Sequence, residues 1–342
     1  MRTLAVACFA VLQAASAQRS HGLPDKFRGV CWEAAGPIDA ARLQPLEELG
    51  VNWISQTPFG FATAPDDPAI HLPASPRVLW GESDSGLAET ARMARAAGIC
   101  TLLKPHLWLR RGWAGDIRMR SEDDWQRWFR AYEIFILHYA ALAEREGMDG
   151  LAIGTELCAA SPRTADWRRL IARVRETYHG PLTYCANWHE AETVEFWDAL
   201  DFVGVQAYYP LPAGERPTVA AIRAAWAPIV IRLEKLHLRT GRRVVFTEVG
   251  YKSLADSLSE PWRWDLDGTT DLALQRDAYQ ALFESMWEHP WFGGLFVWKW
   301  HSRLGDAAPA SGRFERDFTP QGKPALGVIR GFYRDRAERR PR

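Results

Sequence analysis

Two stretches of the chain share one pattern. Residues 151–158 read Leu-Ala-Ile-Gly-Thr-Glu-Leu-Cys, and residues 244–251 read Val-Val-Phe-Thr-Glu-Val-Gly-Tyr. Each is an unbroken apolar run that ends in Thr-Glu. A run that is apolar at every position, instead of alternating, is what a strand buried on both faces requires. A carboxylate where such a strand ends is expensive to bury unless it is used. Six further apolar runs, at 27–33, 51–56, 99–105, 182–186, 202–206 and 294–298, bring the expected strands to eight. Helical patterning fills the spaces between them. It predicts helices over 38–49, 86–97, 121–146, 191–199, 218–240, 271–288 and 325–334, and another that opens at Ser161-Pro162. Gly50, Gly98, Gly147 and Gly241 stand at the helix stops, and Ser121 with Asp124 three residues on reads as a capping box. Strictly alternating strands and helices imply a parallel sheet. Eight repeats with no linker between them favour closure into a single (β/α)8 TIM barrel, class α/β, spanning 18–342. A doubly wound open sheet is the alternative, but no glycine-rich phosphate turn follows the first strand.

Barrels of this kind build their active sites at the C-terminal ends of the strands. Those ends carry Trp32, Glu33, Lys104, His106, Glu156, Asn187, Trp188, Gln206, Tyr208, Glu248, Trp298 and Trp300, almost all polar or aromatic. The opposite ends carry ordinary turn residues, and this asymmetry marks an enzyme. Two carboxyl groups at the mouth of one barrel suit hydrolysis of a glycosidic bond, one protonated for the leaving oxygen and the other ionised for the anomeric carbon. Glu156 and Glu248 are the pair. Other readings stay open: Glu156 as a cap of the following helix, Glu248 as a buried partner of Lys252, and His106 as a ligand contact or a structural hydrogen bond.

Composition narrows the substrate. The 42 basic and 42 acidic side chains cancel, so nothing calls for nucleic acid or an anionic membrane as partner. The 17 tryptophans exceed ordinary packing needs, and indole faces suit sugar rings, although each is either a platform or a core residue. Residues 1–17 read as a secretory signal, with Arg2, an apolar segment at 4–12 and Ala15-Ser16-Ala17 for cleavage, which predicts a secreted or periplasmic protein without membrane insertion. Of the cysteines left after cleavage, Cys31, Cys100, Cys158 and Cys185 are expected as buried thiols; if any pair bridges, it is Cys158 with Cys185. No ligand spacing suggests a metal, and no cofactor is expected. The loops at 57–84 and 110–120 are long enough to shape a substrate groove.

The motifs resemble a known family. An acid/base Glu after strand four and a nucleophile Glu after strand seven resemble clan A glycoside hydrolases. Ile-Gly-Thr-Glu-Leu at 153–157, Phe-Thr-Glu-Val-Gly-Tyr at 246–251, Ala-Asn-Trp at 186–188, Gln-Ala-Tyr-Tyr-Pro at 206–210 and Thr-Pro-Gln-Gly-Lys-Pro-Ala at 319–325 resemble glycoside hydrolase family 113. That resemblance implies a retaining endo-β-1,4-mannanase, with Glu156 as acid/base and Glu248 as nucleophile. Most of the clan places Asn before the acid/base to hold the sugar 2-hydroxyl. Thr155 stands here instead, which leaves that contact to Asn187 or His106. By their chemistry, Tyr208, Lys104 or Lys252 would keep Glu248 ionised, Trp188 would desolvate Glu156, and Trp32, Trp298 and Trp300 would stack on sugars. Another β-glycan as substrate, or a barrel that binds polysaccharide without cleaving it, are the competing readings.

Overall fold

The computed structural model describes residues 22–73, 78–212, 214, 216–304 and 312–335. The signal segment lies outside the described residues. Eight parallel strands close into a barrel: β1 (Phe27–Glu33), β2 (Trp53–Gln56), β4 (Cys100–Leu103), β6 (Gly150–Thr155), β7 (Leu182–Asn187), β8 (Val203–Gln206), β9 (Val244–Val249) and β10 (Phe292–His301), with β10 pairing back onto β1. The (β/α)8 expectation therefore holds. Helices α1 (Gln44–Leu49), α2 (Asp84–Ala96), α3 (Glu122–Glu146), α4 (Thr164–Thr177), α5 (Val219–Thr240), α6 (Leu272–Met286) and α7 (Pro324–Arg330) supply the connections and the tail. The ends of α3 follow the expected chemistry: the Ser121 hydroxyl accepts the Asp124 N–H at 3.1 Å, and Gly147 turns left-handed at φ 64°.

Two cores hold the barrel. Large side chains between strands and helices form the outer one, with Trp128, Trp167 and Trp226 fully buried. The inner one is a plug of Phe27, Cys31, Trp53, Leu102, Phe202, Val245 and Phe296. The Phe27 ring centre lies 4.8 Å from Trp53, 5.3 Å from Phe202 and 5.7 Å from Phe296. Burying each such ring contributes roughly 1.5–3 kcal/mol. The plug fills the interior with apolar side chains, and the buried polar groups Lys104, Gln206 and Glu248 stand at the strands' other, C-terminal ends.

Several local expectations are corrected. The segment at 38–49 is a 3-10 turn, Ala40–Arg42, followed by α1, because Pro45 lacks an N–H and starts a helix afresh. No α-helix forms over 191–199: the Trp197 indole donates to Ala191 O at 3.0 Å and folds the segment on itself, which leaves only a 3-10 turn at Trp197–Ala199. Helix α4 starts at Thr164, after a series of turns, instead of at Ser161-Pro162. The third strand stops before Pro105, which cannot donate to the ladder, and the chain begins a second small sheet. There β5 (His106–Leu109) pairs in parallel with β3 (Phe59–Ala62), outside the barrel. The expected thiols hold at Cys158 and Cys185, which are not bridged; Cys185 is buried, while Cys158 is only half-buried and its thiol donates to Glu190 at 3.3 Å.

Candidate active site

The barrel register brings the strand ends together. Asn187 pairs with Gln206, and Gln206 pairs with Glu248, so β7, β8 and β9 present their last polar residues side by side. Glu156 follows β6 directly, and its N–H donates to Cys185 O at 2.9 Å. It adopts a left-handed backbone, φ 52°, which few side chains other than Gly, Asn or Asp enter readily. Glu156 and Glu248 thus stand three staves apart around the mouth.

Glu248 is 4% exposed and tightly held. Lys104, itself fully buried, forms an ion pair with its Oε1. The Tyr208 hydroxyl donates to Oε2 at 2.9 Å. His106 Nε2 lies 3.7 Å from Oε1 and has no hydrogen-bond partner among the described residues. Burial alone would raise the pKa of Glu248, but the Lys104 charge overrides it and holds the carboxyl below its ordinary value. Burial likewise opposes the charge on Lys104, yet Glu248 keeps it protonated above its usual range. Burial and the Lys104 charge push His106 down to about 3, so its imidazole is neutral.

Glu156 is the opposite case. Its Oε1 accepts one hydrogen bond, from Asn187 Nδ2 at 2.8 Å, and no cation pairs with it among the described residues. Burial and then the charge on Glu248 raise its pKa to about 8. One carboxyl is therefore protonated and the other ionised near neutral pH, the division of labour that acid-assisted displacement needs.

Behind them lies a group the sequence reading overlooked. Glu190, 3% exposed, accepts the Asn187 N–H at 2.9 Å and the Tyr184 hydroxyl at 2.7 Å, and its charge adds to the upward push on Glu156. Its position three residues after a strand-end Asn is the one signal that pointed to it. Gln206 is buried and accepts from Thr247 at 2.9 Å.

The aromatic residues divide. Trp298 is half-buried at the mouth, with the Lys104 ammonium 5.6 Å from its ring centre. Trp188, also half-buried, stacks at 5.8 Å on Trp262, a residue with no role in the sequence reading. Trp32 is 6% exposed and lines the mouth beside Trp298, with most of its ring in the core. Trp300 is 1% exposed and is no platform: an irregularity in the pairing of β10 with β1 turns it into the core. Lys252 is not the partner of Glu248; it donates to the carbonyl oxygens of Trp264 and Leu266. Thr155 donates to Pro105 O at 3.3 Å, and α4 begins too far along the chain for Glu156 to cap it. Glu33 pairs with Lys299 and His301. Among the described residues no His, Cys, Asp or Glu side chains converge as a metal would need.

A barrel with an acid and a carboxylate so divided at its mouth is the framework of a retaining or inverting glycoside hydrolase. The profile of glycoside hydrolase family 113 matches residues 32–323, and the chain belongs to that family. Among solved structures it is similar to a family 113 β-mannanase from Alicyclobacillus acidocaldarius, at 31% identity and TM-score 0.78, covering 90% of this chain and 97% of that one. A second family 113 β-1,4-mannanase aligns at 27% identity and TM-score 0.79, covering 90% and 99%. A β-glucuronidase from Ruminococcus gnavus shares the fold at 11% identity and TM-score 0.59, covering 90% of this chain and 50% of its own. No curated protein sequence matches.

Proposed function

We propose that this glycoside hydrolase cleaves β-1,4-linked mannan by double displacement, with Glu248 as nucleophile and Glu156 as acid/base. The observation that carries the assignment of roles is the contrast between the two carboxyl groups, one locked ionised by Lys104 and Tyr208 and the other half-buried near a like charge with a single amide donor. The two family 113 mannanases, 27% and 31% identical along nearly the whole of their chains, support β-mannan as substrate. In this reading Glu248 attacks the anomeric carbon while Glu156 gives its proton to the departing oxygen. Glu156 then takes a proton from water, which attacks the glycosyl–enzyme from the face the leaving group vacated. Asn187 donates to Glu156, so neutral His106, half-buried beside Glu248, is the remaining candidate for the sugar 2-hydroxyl. Trp298 lines the glycone side, and the stacked pair Trp188–Trp262 the aglycone side. The signal-like segment supports export, to the periplasm or beyond, with a polysaccharide or oligosaccharide as partner.

The test is the configuration of the first product. NMR of a manno-oligosaccharide digest, read before mutarotation, is expected to show the β anomer; an initial α anomer would replace double displacement with inversion. A digest in which glucan or xylan, and not mannan, is cut would move the substrate.

The pH profile follows from the two environments. Glu156 must carry its proton, so kcat/KM is expected to fall as pH rises through about 8. Glu248 must be ionised, so the acidic limb is expected below the ordinary Glu value of 4.5. Initial rates on one soluble substrate across the range check both. Tyr208→Phe removes one donor to a charged group, worth about ten- to hundredfold in kcat. It also weakens the preference for the ionised form of Glu248, so its acidic limb is expected to move to higher pH.

A further inference from the structure

Beyond Glu248, on the side away from Glu156, the mouth continues over β10 and β1. Trp32, Glu33, Trp298 and Lys299 line a cavity of ≈ 180 Å³ there. It shares Glu33, Leu79 and Lys299 with a more open pocket of ≈ 470 Å³. In double displacement the nucleophile lies under the glycone sugar and the acid beside the leaving group, so both cavities are on the glycone side of the bond.

The charge of the outer pocket does not suit a neutral polymer. Lys252, Lys299, Arg303, Arg313 and Arg316 line it, against Glu33 and Asp317. Part of that charge is used: Lys299 pairs with Glu33, Arg316 bonds Asp267 at 2.8 Å, and His301 bridges Glu33 and Asp317 at 3.1 Å each. Lys252 spends its donors on carbonyl groups, with Asp265 and Asp267 within its field. Arg303 and Arg313 remain. Neither has a carboxylate partner among the described residues, and the Arg313 guanidinium lies 4.7 Å from the centre of the Phe314 ring. Gln321 fixes the shape of the wall, because its amide bonds the backbone of His301 and Leu304.

We propose that this pocket seats an acidic group on the glycan, with Arg303 and Arg313 as its donors, so that the enzyme prefers β-mannan bearing an anionic substituent on the glycone side. Two guanidinium groups without a carboxylate partner among the described residues match the paired oxygens of a carboxylate or a phosphate ester. The inference rests on the hydrolase reading for the direction of the glycan, and on the pocket alone for the anion.

The experiment measures binding and turnover separately. The intact chain and the Arg303→Gln/Arg313→Gln double variant are titrated with three manno-oligosaccharides of one length: neutral, oxidised at C6 to a uronate, and esterified at C6 with phosphate. The wild-type chain is expected to bind at least one acidic form about tenfold more tightly than the neutral one, a gain that weakens with added salt and is absent from the double variant. Affinity for the neutral form is expected to stay the same in both proteins. A stronger gain for one acidic form identifies the substituent, and equal gains support the shared chemistry. Equal affinity for all three, or a preference that survives in the double variant, overturns the proposal. Release of reducing ends is followed in the same mixtures. If none appears from any substrate the hydrolase reading fails, while the affinities still decide the pocket.

Discussion

Replacing Glu248 with Gln is expected to lower kcat on mannan by a factor on the order of 10⁴–10⁶, the range seen when a covalent nucleophile is removed from an otherwise intact site. The loss should fall on turnover, because the platforms around Trp298 and Trp188 are untouched. The substitution also leaves Lys104 fully buried without its counter-ion. An uncompensated buried charge costs about 3–5 kcal/mol. A thermal melt beside the kinetics separates the two effects. The double variant Lys104→Met/Glu248→Gln is expected to recover much of the lost stability and none of the activity. Turnover by either variant at more than a hundredth of the wild-type rate would mean that Glu248 is not the nucleophile.

Glu156→Gln is expected to behave differently. Proton donation contributes typically 10²–10⁴-fold, so substrates with poor leaving groups should lose about that much. An aryl mannoside whose leaving group needs no proton should lose far less in its first step. Stability should move the other way. The folded carboxyl titrates at about 8 against 4.5 for the ordinary group. Between those values the native state keeps a proton the unfolded chain has released, so the wild-type protein loses stability as pH rises through that window. Gln carries no such penalty. Its Tm advantage over wild type is therefore expected to widen from about pH 5 to about pH 8. Equal sensitivity of good and poor leaving groups would remove Glu156 from the acid role.

Much of this was legible in the chain because burial on both faces writes itself as uninterrupted apolar runs. Eight such runs gave the barrel, and the residues ending them included both carboxyl groups. Local chemistry misled where the tertiary structure decided the outcome. Lys252 lies four residues from Glu248, yet the barrel brings Lys104 to it from another strand. Trp300 shares strand parity with Trp298, but the irregular pairing of β10 with β1 breaks the alternation that parity assumes. The β3–β5 sheet was hidden because its strands are four residues each and follow prolines, so they read as loop. The contact of Trp188 with Trp262 joins two loops far apart in sequence, and no pattern along the chain encodes it.

The left-handed backbone at Glu156 bears on how this protein would decay. Position 156 combines a conformation that Gly or Asn adopts more readily with a half-buried acid whose charge is penalised, so drift there to Gly or Asn relaxes the fold. Position 248 is guarded, since losing its carboxylate strands the lysine beneath it. In a duplicated copy freed from the demand for turnover, the proton donor should vanish early and the nucleophile linger, leaving a sugar-binding relic with half of its machinery intact.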